Sequence, residues 1–95
     1  MSAARVARLL RVHGVVQGVW FRDWTVMTAG RLGVAGWVRN RRDGTVEIKA
    51  VGAADAVEAL RRACLEGPDR AEVEGIEVSA ATDDGETGFG RRGTV

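Results

Sequence analysis

The order of strand-like and helix-like patterns limits this chain of 95 residues to a small set of folds. Short apolar runs that alternate with polar residues predict strands, and apolar residues three to four positions apart predict helices. The predicted elements are a strand at 5–13, a helix at 21–32, strands at 34–42 and 45–51, a helix at 53–66 and a strand at 73–80. This order is the split β-α-β pattern, so we expect an α+β fold in which two helices cover one face of a four-stranded antiparallel sheet.

The final segment and the connections refine this prediction. Residues 87–95 predict a weak fifth strand, because several glycines interrupt them. The pair Asp43-Gly44 supplies the positive φ of a tight hairpin between the second and third strands. We expect the first strand to lie centrally, so that the loop after it opens beside the end of the second strand. The length fits a single domain spanning residues 1–95.

Composition restricts the class of protein. The apolar and charged fractions, 45% and 28%, are those of an ordinary soluble domain. Arg5, Arg8 and Arg11 interrupt the amino-terminal apolar residues, so no secretory signal is predicted, and no run of about 20 apolar residues could span a membrane. The lone cysteine, Cys64, cannot form an internal disulfide, and we expect it to be buried on the apolar stripe of the second helix. We therefore expect a cytoplasmic protein, with a monomer as the default.

The formal net charge of +1 conceals a difference between the two halves of the chain. Residues 1–50 hold nine basic and three acidic side chains, a net +6, whereas residues 51–95 hold five basic and ten acidic ones, a net −5. A basic half can indicate a nucleic-acid surface. However, the chain has no Tyr and lacks the aromatic motif of RNA-binding sheets, and its thirteen Arg against one Lys fit a compositional habit equally well. We expect no nucleic-acid partner.

The junction Gly14–Arg22, where the first strand passes into the first helix, is the strongest candidate for a functional site. Backbone N–H groups at a helix start have no intrahelical partner and lie at the positive end of the helix dipole, so they can surround an anion. Gly14 and Gly18 permit the backbone conformations that such a loop needs. Arg22, in the first turn, can clamp phosphate or carboxylate oxygens with two parallel hydrogen bonds. The junction therefore predicts an oxyanion site.

Other polar and aromatic residues have two interpretations each. His13 ends the first strand with no acidic partner in nearby sequence, which favours a structural role over a catalytic one. For Trp20 and Trp24, packing against the loop is favoured over contact with a substrate. Asn40 lies just before the predicted hairpin, where its amide could support the turn or hold a water molecule. Both roles of Asn40 stay open at this point.

Two sequence blocks resemble the signatures of the acylphosphatase family. The first is Gly14-x-Val16-Gln17-Gly18-Val19-x-Phe21-Arg22, and the second is Gly36-Trp37-Val38-Arg39-Asn40, followed by Asp43-Gly44-Thr45-Val46-Glu47 and then Gly52. The two blocks stand at the separation typical of the family, and the similarity extends from about Arg5 to Val78. The resemblance implies a ferredoxin-like βαββαβ sandwich, in agreement with the order of the predicted elements.

The resemblance also implies an activity, the hydrolysis of acyl phosphates to a carboxylate and inorganic phosphate, without metal or cofactor. By matching positions, Arg22 would bind the phosphoryl group together with the backbone N–H groups of the loop, and Asn40 would position the attacking water. The loop residues so implied are Val15, Val16, Gln17, Gly18 and Val19. Acetyl phosphate, carbamoyl phosphate and other acyl phosphates remain open as substrates, because the sequence defines no acyl pocket.

The chain departs from the family pattern in places. Val15 stands where the family commonly has a basic residue, which reduces the local positive field but leaves the backbone donors, and the end of the chain only loosely resembles the usual closing strand. The resemblance also extends to an acylphosphatase-like domain of larger maturation proteins that use carbamoyl phosphate, but 95 residues leave no room for their other domains. The competing class is a non-catalytic ferredoxin-like module that binds an anion or RNA.

Overall fold

The computed structural model describes residues 4–95, which form five strands and two helices in the predicted order. The elements are β1 (Arg5–Val15), α1 (Phe21–Leu32), β2 (Ala35–Asn40), β3 (Val46–Ala53), α2 (Ala54–Glu66), β4 (Glu72–Ala80) and β5 (Phe89–Arg91). The first helix has the predicted bounds. The second strand is shorter than the predicted 34–42, because the chain turns after Asn40, where the N–H of Gly44 donates to the carbonyl of Arg41 (3.1 Å).

The strands form one sheet in the order β4-β1-β3-β2-β5, so β1 lies in the interior of the sheet as predicted. β1 pairs antiparallel with β3 and with β4, and β2 pairs antiparallel with β3. The predicted weak fifth strand is present, but it pairs parallel with β2, with Gly36 opposite Phe89 and Val38 opposite Arg91. The four-stranded antiparallel sheet is therefore extended into a mixed sheet.

Residues 81–88 carry the chain from β4 at one edge of the sheet to β5 at the other, across the face that the helices leave open. Lys49 of β3 donates a hydrogen bond to Asp84 of this segment (2.8 Å), and Arg5 of β1 donates to Asp83 (2.5 Å). The N–H of Gly36 donates to the carbonyl of Gly88 (3.0 Å), which leads the chain into β5. Because the chain reverses direction in this segment, β5 runs opposite to β4 and hence parallel to β2.

The main core lies between the helices and the other face of the sheet. Its largest fully buried side chains include Phe21 of α1, Leu60 of α2 and Leu10 and Ile48 of the sheet. Cys64 is also fully buried here, as predicted, and burial raises the pKa of its thiol to about 12. Within residues 4–95, neither helix has the length and apolar character needed to cross a membrane.

Candidate active site

The loop between β1 and α1 begins at a bulge in the sheet. The register between β1 and β4 shifts between His13 and Gly14, and Gly14 has φ 125°. A Cβ atom on residue 14 would lie 2.1 Å from the carbonyl oxygen of Glu72, so only glycine fits this close approach of two backbones. Val16, just beyond the bulge, is buried in the core and anchors the loop.

The backbone of this loop offers unpaired donors. In the part of the chain that the structure describes, the N–H groups of residues 16–19 donate no hydrogen bond to a backbone or side-chain acceptor. The loop leads directly into the amino terminus of α1, where Trp20 occupies the N-cap position and makes no side-chain capping bond. Unpaired amides at the positive end of a helix dipole form the surroundings that an oxyanion prefers.

The side chain of Gln17 ties the loop to the β2–β3 hairpin. Its Nε2 donates to the carbonyl oxygens of Arg41 (2.7 Å) and Thr45 (2.8 Å). These two carbonyls lie on either side of the hairpin that follows Asn40, so the contact fixes the loop relative to the end of β2. The sequence pointed only to the backbone of Gln17, because a contact across 24 residues leaves no local signal.

Asn40 is the last residue of β2, and its side chain takes no part in the hydrogen bonds that stabilise the hairpin. The hairpin is stabilised by Asp43, whose Oδ1 accepts from the Thr45 N–H (3.0 Å) and the Thr45 hydroxyl (2.6 Å). By contrast, Oδ1 of Asn40 is buried and accepts no hydrogen bond from residues 4–95. A buried acceptor without a partner costs about 1–3 kcal/mol, so such a group is typical of a functional site.

The residues on either side of Asn40 are held by a buried carboxylate. Glu47 of β3 accepts from Arg39 (2.6 Å) and from Arg41 (3.1 Å). Burial raises the pKa of Glu47, but the hydrogen bonds and charges of the two arginines outweigh it and hold the pKa below its usual value. The ionised Glu47 therefore keeps the end of β2 in place without lying in the site itself.

Arg22 and Asn40 line one cavity of about 90 Å³, together with Val16, Gly18, Trp20, Phe21, Asp23 and Arg91. This volume is that of about three water molecules, which suits a phosphate group rather than a whole organic substrate. Among the described residues, the guanidinium of Arg22 forms no ion pair or side-chain hydrogen bond, so its donors are unpaired. Of the other loop residues named from the sequence, Val15, Gln17 and Val19 do not line this cavity.

The cavity also includes two residues that the sequence analysis did not identify. Arg91 of β5 forms a salt bridge with Asp23 in the first turn of α1, with 2.6 Å between Nη1 and Oδ1. The pairing of β5 with β2 brings Arg91 to the cavity, and no local pattern predicts this long-range contact. His13 does not line this cavity, and its Nε2 lies 2.5 Å from Oε1 of Glu77 on β4, an acidic partner that nearby sequence did not reveal.

The fold is a small α+β domain with a cavity at the β1–α1 junction. Residues 8–90 match the acylphosphatase family. An acylphosphatase of Acidovorax sp. (strain JS42) is 54% identical over 94 residues, which cover 99% of this chain and 97% of that protein. An acylphosphatase of Acidiphilium cryptum (strain JF-5) is 52% identical over 89 residues, covering 94% of this chain and 98% of that protein. The chain therefore belongs to the acylphosphatase family.

Solved structures agree with this assignment. The crystal structure of acylphosphatase from Bacillus subtilis superposes with a TM-score of 0.88 at 35% identity, over 92% of this chain and 98% of that one. Full-length HypF, in a phosphate- and nucleotide-bound form, superposes with a TM-score of 0.90 at 26% identity. That match covers 99% of this chain but 12% of HypF, so the similarity is to one part of a much larger protein.

Proposed function

We propose that this chain is an acylphosphatase in which the β1–α1 loop and Arg22 hold the phosphoryl group of a small acyl phosphate and Asn40 holds the attacking water. One observation carries the proposal: the loop, Arg22 and Asn40 line the same cavity, and Oδ1 of Asn40 is buried without a hydrogen-bond partner among the described residues. Transfer of a phosphoryl group to water depends mainly on positioning and on stabilising charge, and this cavity offers groups for both.

The chemistry follows from the groups present. The unpaired N–H groups of residues 16–19 and the guanidinium of Arg22 bind the non-bridging phosphate oxygens, where negative charge must be stabilised. The water held by Asn40 Oδ1 attacks phosphorus, the bond between phosphorus and the acyl oxygen breaks, and the carboxylate leaves with the electron pair. The proton of the water passes to a phosphate oxygen of the substrate. A carboxylate is a good enough leaving group to depart without a general acid.

The wider setting of the protein is part of the same proposal. The chain acts as a single domain over residues 1–95 and as a monomer in the cytoplasm, on small molecules rather than on nucleic acid. The free, buried Cys64 suits a reducing compartment. On the open face of the sheet, Arg11, Arg39 and Arg41 are paired with Glu47, so they are less able to bind a phosphate backbone. Sedimentation of the purified protein and cell fractionation test these points.

The decisive experiment is the hydrolysis of benzoyl phosphate in EDTA by the wild type, Arg22→Ala and Asn40→Ala. We expect fast turnover in the wild type and its loss in both variants. The matched control is Arg31→Ala, which removes an exposed arginine from the last turn of the same helix and should keep wild-type turnover. A folded wild-type protein that binds phosphate but does not hydrolyse acyl phosphates would instead be a non-catalytic anion-binding module.

A further inference from the structure

A second and larger cavity adjoins the proposed phosphate site. It is an open groove of about 360 Å³ between the start of α1 and the α2–β4 connection, lined by Val19, Trp20, Trp24 and residues 67–70. Trp20 lines both this groove and the 90 Å³ cavity that contains Arg22 and Asn40. The two spaces are therefore neighbours, and a substrate whose phosphoryl group fills the smaller one can extend into the larger one.

The conformation of Trp20 indicates a role beyond packing. Among the described residues it is the one non-glycine residue with positive φ, at 70°. L-residues rarely adopt this conformation, and residues that do so cluster at ligand sites. The residue is 55% exposed, although burying its large ring would be favourable. The backbone thus holds a large apolar surface at the edge of the phosphate site.

The other walls of the groove are fixed by the core. The ring of Trp24 packs edge-on against Phe21, with 5.4 Å between ring centroids. A Cβ atom on Gly67 would lie 2.8 Å from the Phe21 ring, so glycine lets the α2–β4 connection approach α1 closely. Trp24 and the α2–β4 connection at Gly67 are therefore held against the core, and this part of the groove is pre-formed, as is usual for small-molecule sites.

The chemistry of the groove selects the class of group that it accepts. Its walls next to the phosphate site are the apolar and aromatic Val19, Trp20 and Trp24. Its two charged residues, Asp69 and Arg70, are exposed and of opposite sign, so they favour neither an acidic nor a basic group. Flat aromatic groups gain from stacking against indole rings, whereas a methyl group contacts little of this surface.

From this arrangement we infer that the groove binds the acyl group of the substrate against Trp20 and Trp24, and that the enzyme thereby prefers aromatic and bulky apolar acyl phosphates to acetyl phosphate. The inference rests on the proposed function, because it assumes that the phosphoryl group occupies the neighbouring cavity. The acyl subsite consists of the side chains of Trp20 and Trp24. It therefore uses neither the backbone donors of the phosphate loop nor the side chains of Arg22 and Asn40.

The kinetic experiment compares kcat/KM for benzoyl phosphate with kcat/KM for acetyl phosphate. We expect Trp20→Ala to lower the ratio of the two values by about fivefold, mainly through KM for benzoyl phosphate, because stacking on the indole is lost. Trp20→Gly should lower the ratio equally while relieving the positive φ, so it serves if Trp20→Ala folds poorly. The control, Trp37→Ala, removes an indole on β2 that lies outside both cavities and between Arg39 and Arg92, and should leave the ratio unchanged.

A binding experiment separates this inference from the proposed function. Phenacylphosphonate is benzoyl phosphate with a CH₂ group in place of the bridging oxygen, and acetonylphosphonate is the matching analogue of acetyl phosphate. The protein has three tryptophans, so its ¹H–¹⁵N spectrum has three indole signals to follow during titration. We expect phenacylphosphonate to shift the Trp20 and Trp24 signals but not that of Trp37, and to bind more tightly than acetonylphosphonate.

Each outcome decides one of the two claims. Hydrolysis of both substrates with an unchanged ratio in Trp20→Ala, and indole signals that do not respond to phenacylphosphonate, would overturn the acyl subsite and leave the proposed function intact. Shifts of Trp20 and Trp24 in a protein that hydrolyses neither substrate would support the subsite and overturn the activity. An equal change of the ratio in Trp37→Ala would assign the effect to general loss of packing and so reject the subsite.

Discussion

At Arg22 the geometry of the charge matters as much as its sign. The guanidinium offers a planar set of donors that matches two phosphate oxygens at once, whereas an ammonium group is a point charge. We therefore expect Arg22→Lys to lower kcat/KM for benzoyl phosphate by about 10²-fold or more, nearly as much as Arg22→Ala. Steady-state kinetics of both variants, with Arg31→Lys as the control, measure this. Near-wild-type turnover in Arg22→Lys would argue against the clamp.

Asn40 offers a test in which activity and stability respond differently. Asn40→Ala removes the proposed water ligand, so kcat should fall by about 10²-fold while the inhibition constant of inorganic phosphate stays close to that of the wild type. The free energy of unfolding should not fall, because the lost Oδ1 is buried and unpaired in the native protein. Kinetics and urea unfolding of the same sample provide both values. A higher KM with normal kcat would rule out the water-positioning role.

The sequence predicted the residues whose signal is local. Gly14 and Arg22 follow from the strand-to-helix junction and Asn40 from the resemblance, and the structure brings Arg22 and Asn40 to one cavity. The sequence did not predict the side-chain contacts of Gln17 with the hairpin or of Glu47 with Arg39 and Arg41, because these partners lie on other strands or turns. Hydrogen bonds between side chains and distant backbone depend on register, which a single sequence does not reveal.

At the level of elements, replacing glycine by alanine should lower stability at one position and raise it at another. Gly36 of β2 has φ 132°, and a Cβ there would lie 1.8 Å from the carbonyl oxygen of Lys49, whereas Gly30 lies in α1 with nothing within 4 Å of the corresponding position. We expect Gly36→Ala to lower the free energy of unfolding by about 3 kcal/mol or more and Gly30→Ala to raise it by about 0.5–1 kcal/mol.

Urea unfolding of the two variants, at unchanged m-value, measures both differences. The pair controls for the added methyl group itself, since each variant makes the same chemical change. Equal effects on the unfolding midpoint would show that the close approach of β2 and β3 at Gly36 is not needed.

The elements themselves were predictable except at the end of the chain. Periodicity fixed the order of strands and helices, because each buries one regular face. The weak fifth strand was expected from the glycine-rich segment. Its parallel pairing with β2 and the salt bridge between Arg91 and Asp23 were not expected. β5 has only three residues, so its place depends on the segment that crosses the open face rather than on its own pattern.

Across the whole molecule, folding pairs the basic half of the sequence with the acidic half. Arg5 contacts Asp83, and Lys49 contacts Asp84 and Glu86, so positive charges of the first half meet acids of the second on the open sheet face. Two of the nine basic side chains of the first half are thus paired with acids of the second half, so the fold offsets part of the charge asymmetry that suggested a nucleic-acid surface. Which charged side chains form pairs depends on the tertiary structure. The sequence could therefore show that the two halves differ in charge, but not which of their charges are in contact.

Two of these pairings and one within α2 predict how stability depends on pH. Hydrogen bonds from Arg61, Arg5 and Lys49 lower the pKa values of Glu58 (to about 2), Asp83 and Glu86, respectively. Each folded-state pKa lies below its unfolded-state value of about 4, so the unfolded chain binds more protons in acid. The free energy of unfolding should be highest above about pH 5 and fall steadily towards pH 2.

Glu86→Gln removes one of these groups, so the free energy of unfolding of this variant should fall less steeply over this range. Urea unfolding at several pH values measures the slopes, and parallel slopes for the wild type and Glu86→Gln would exclude the Lys49 pairing as a source of acid sensitivity.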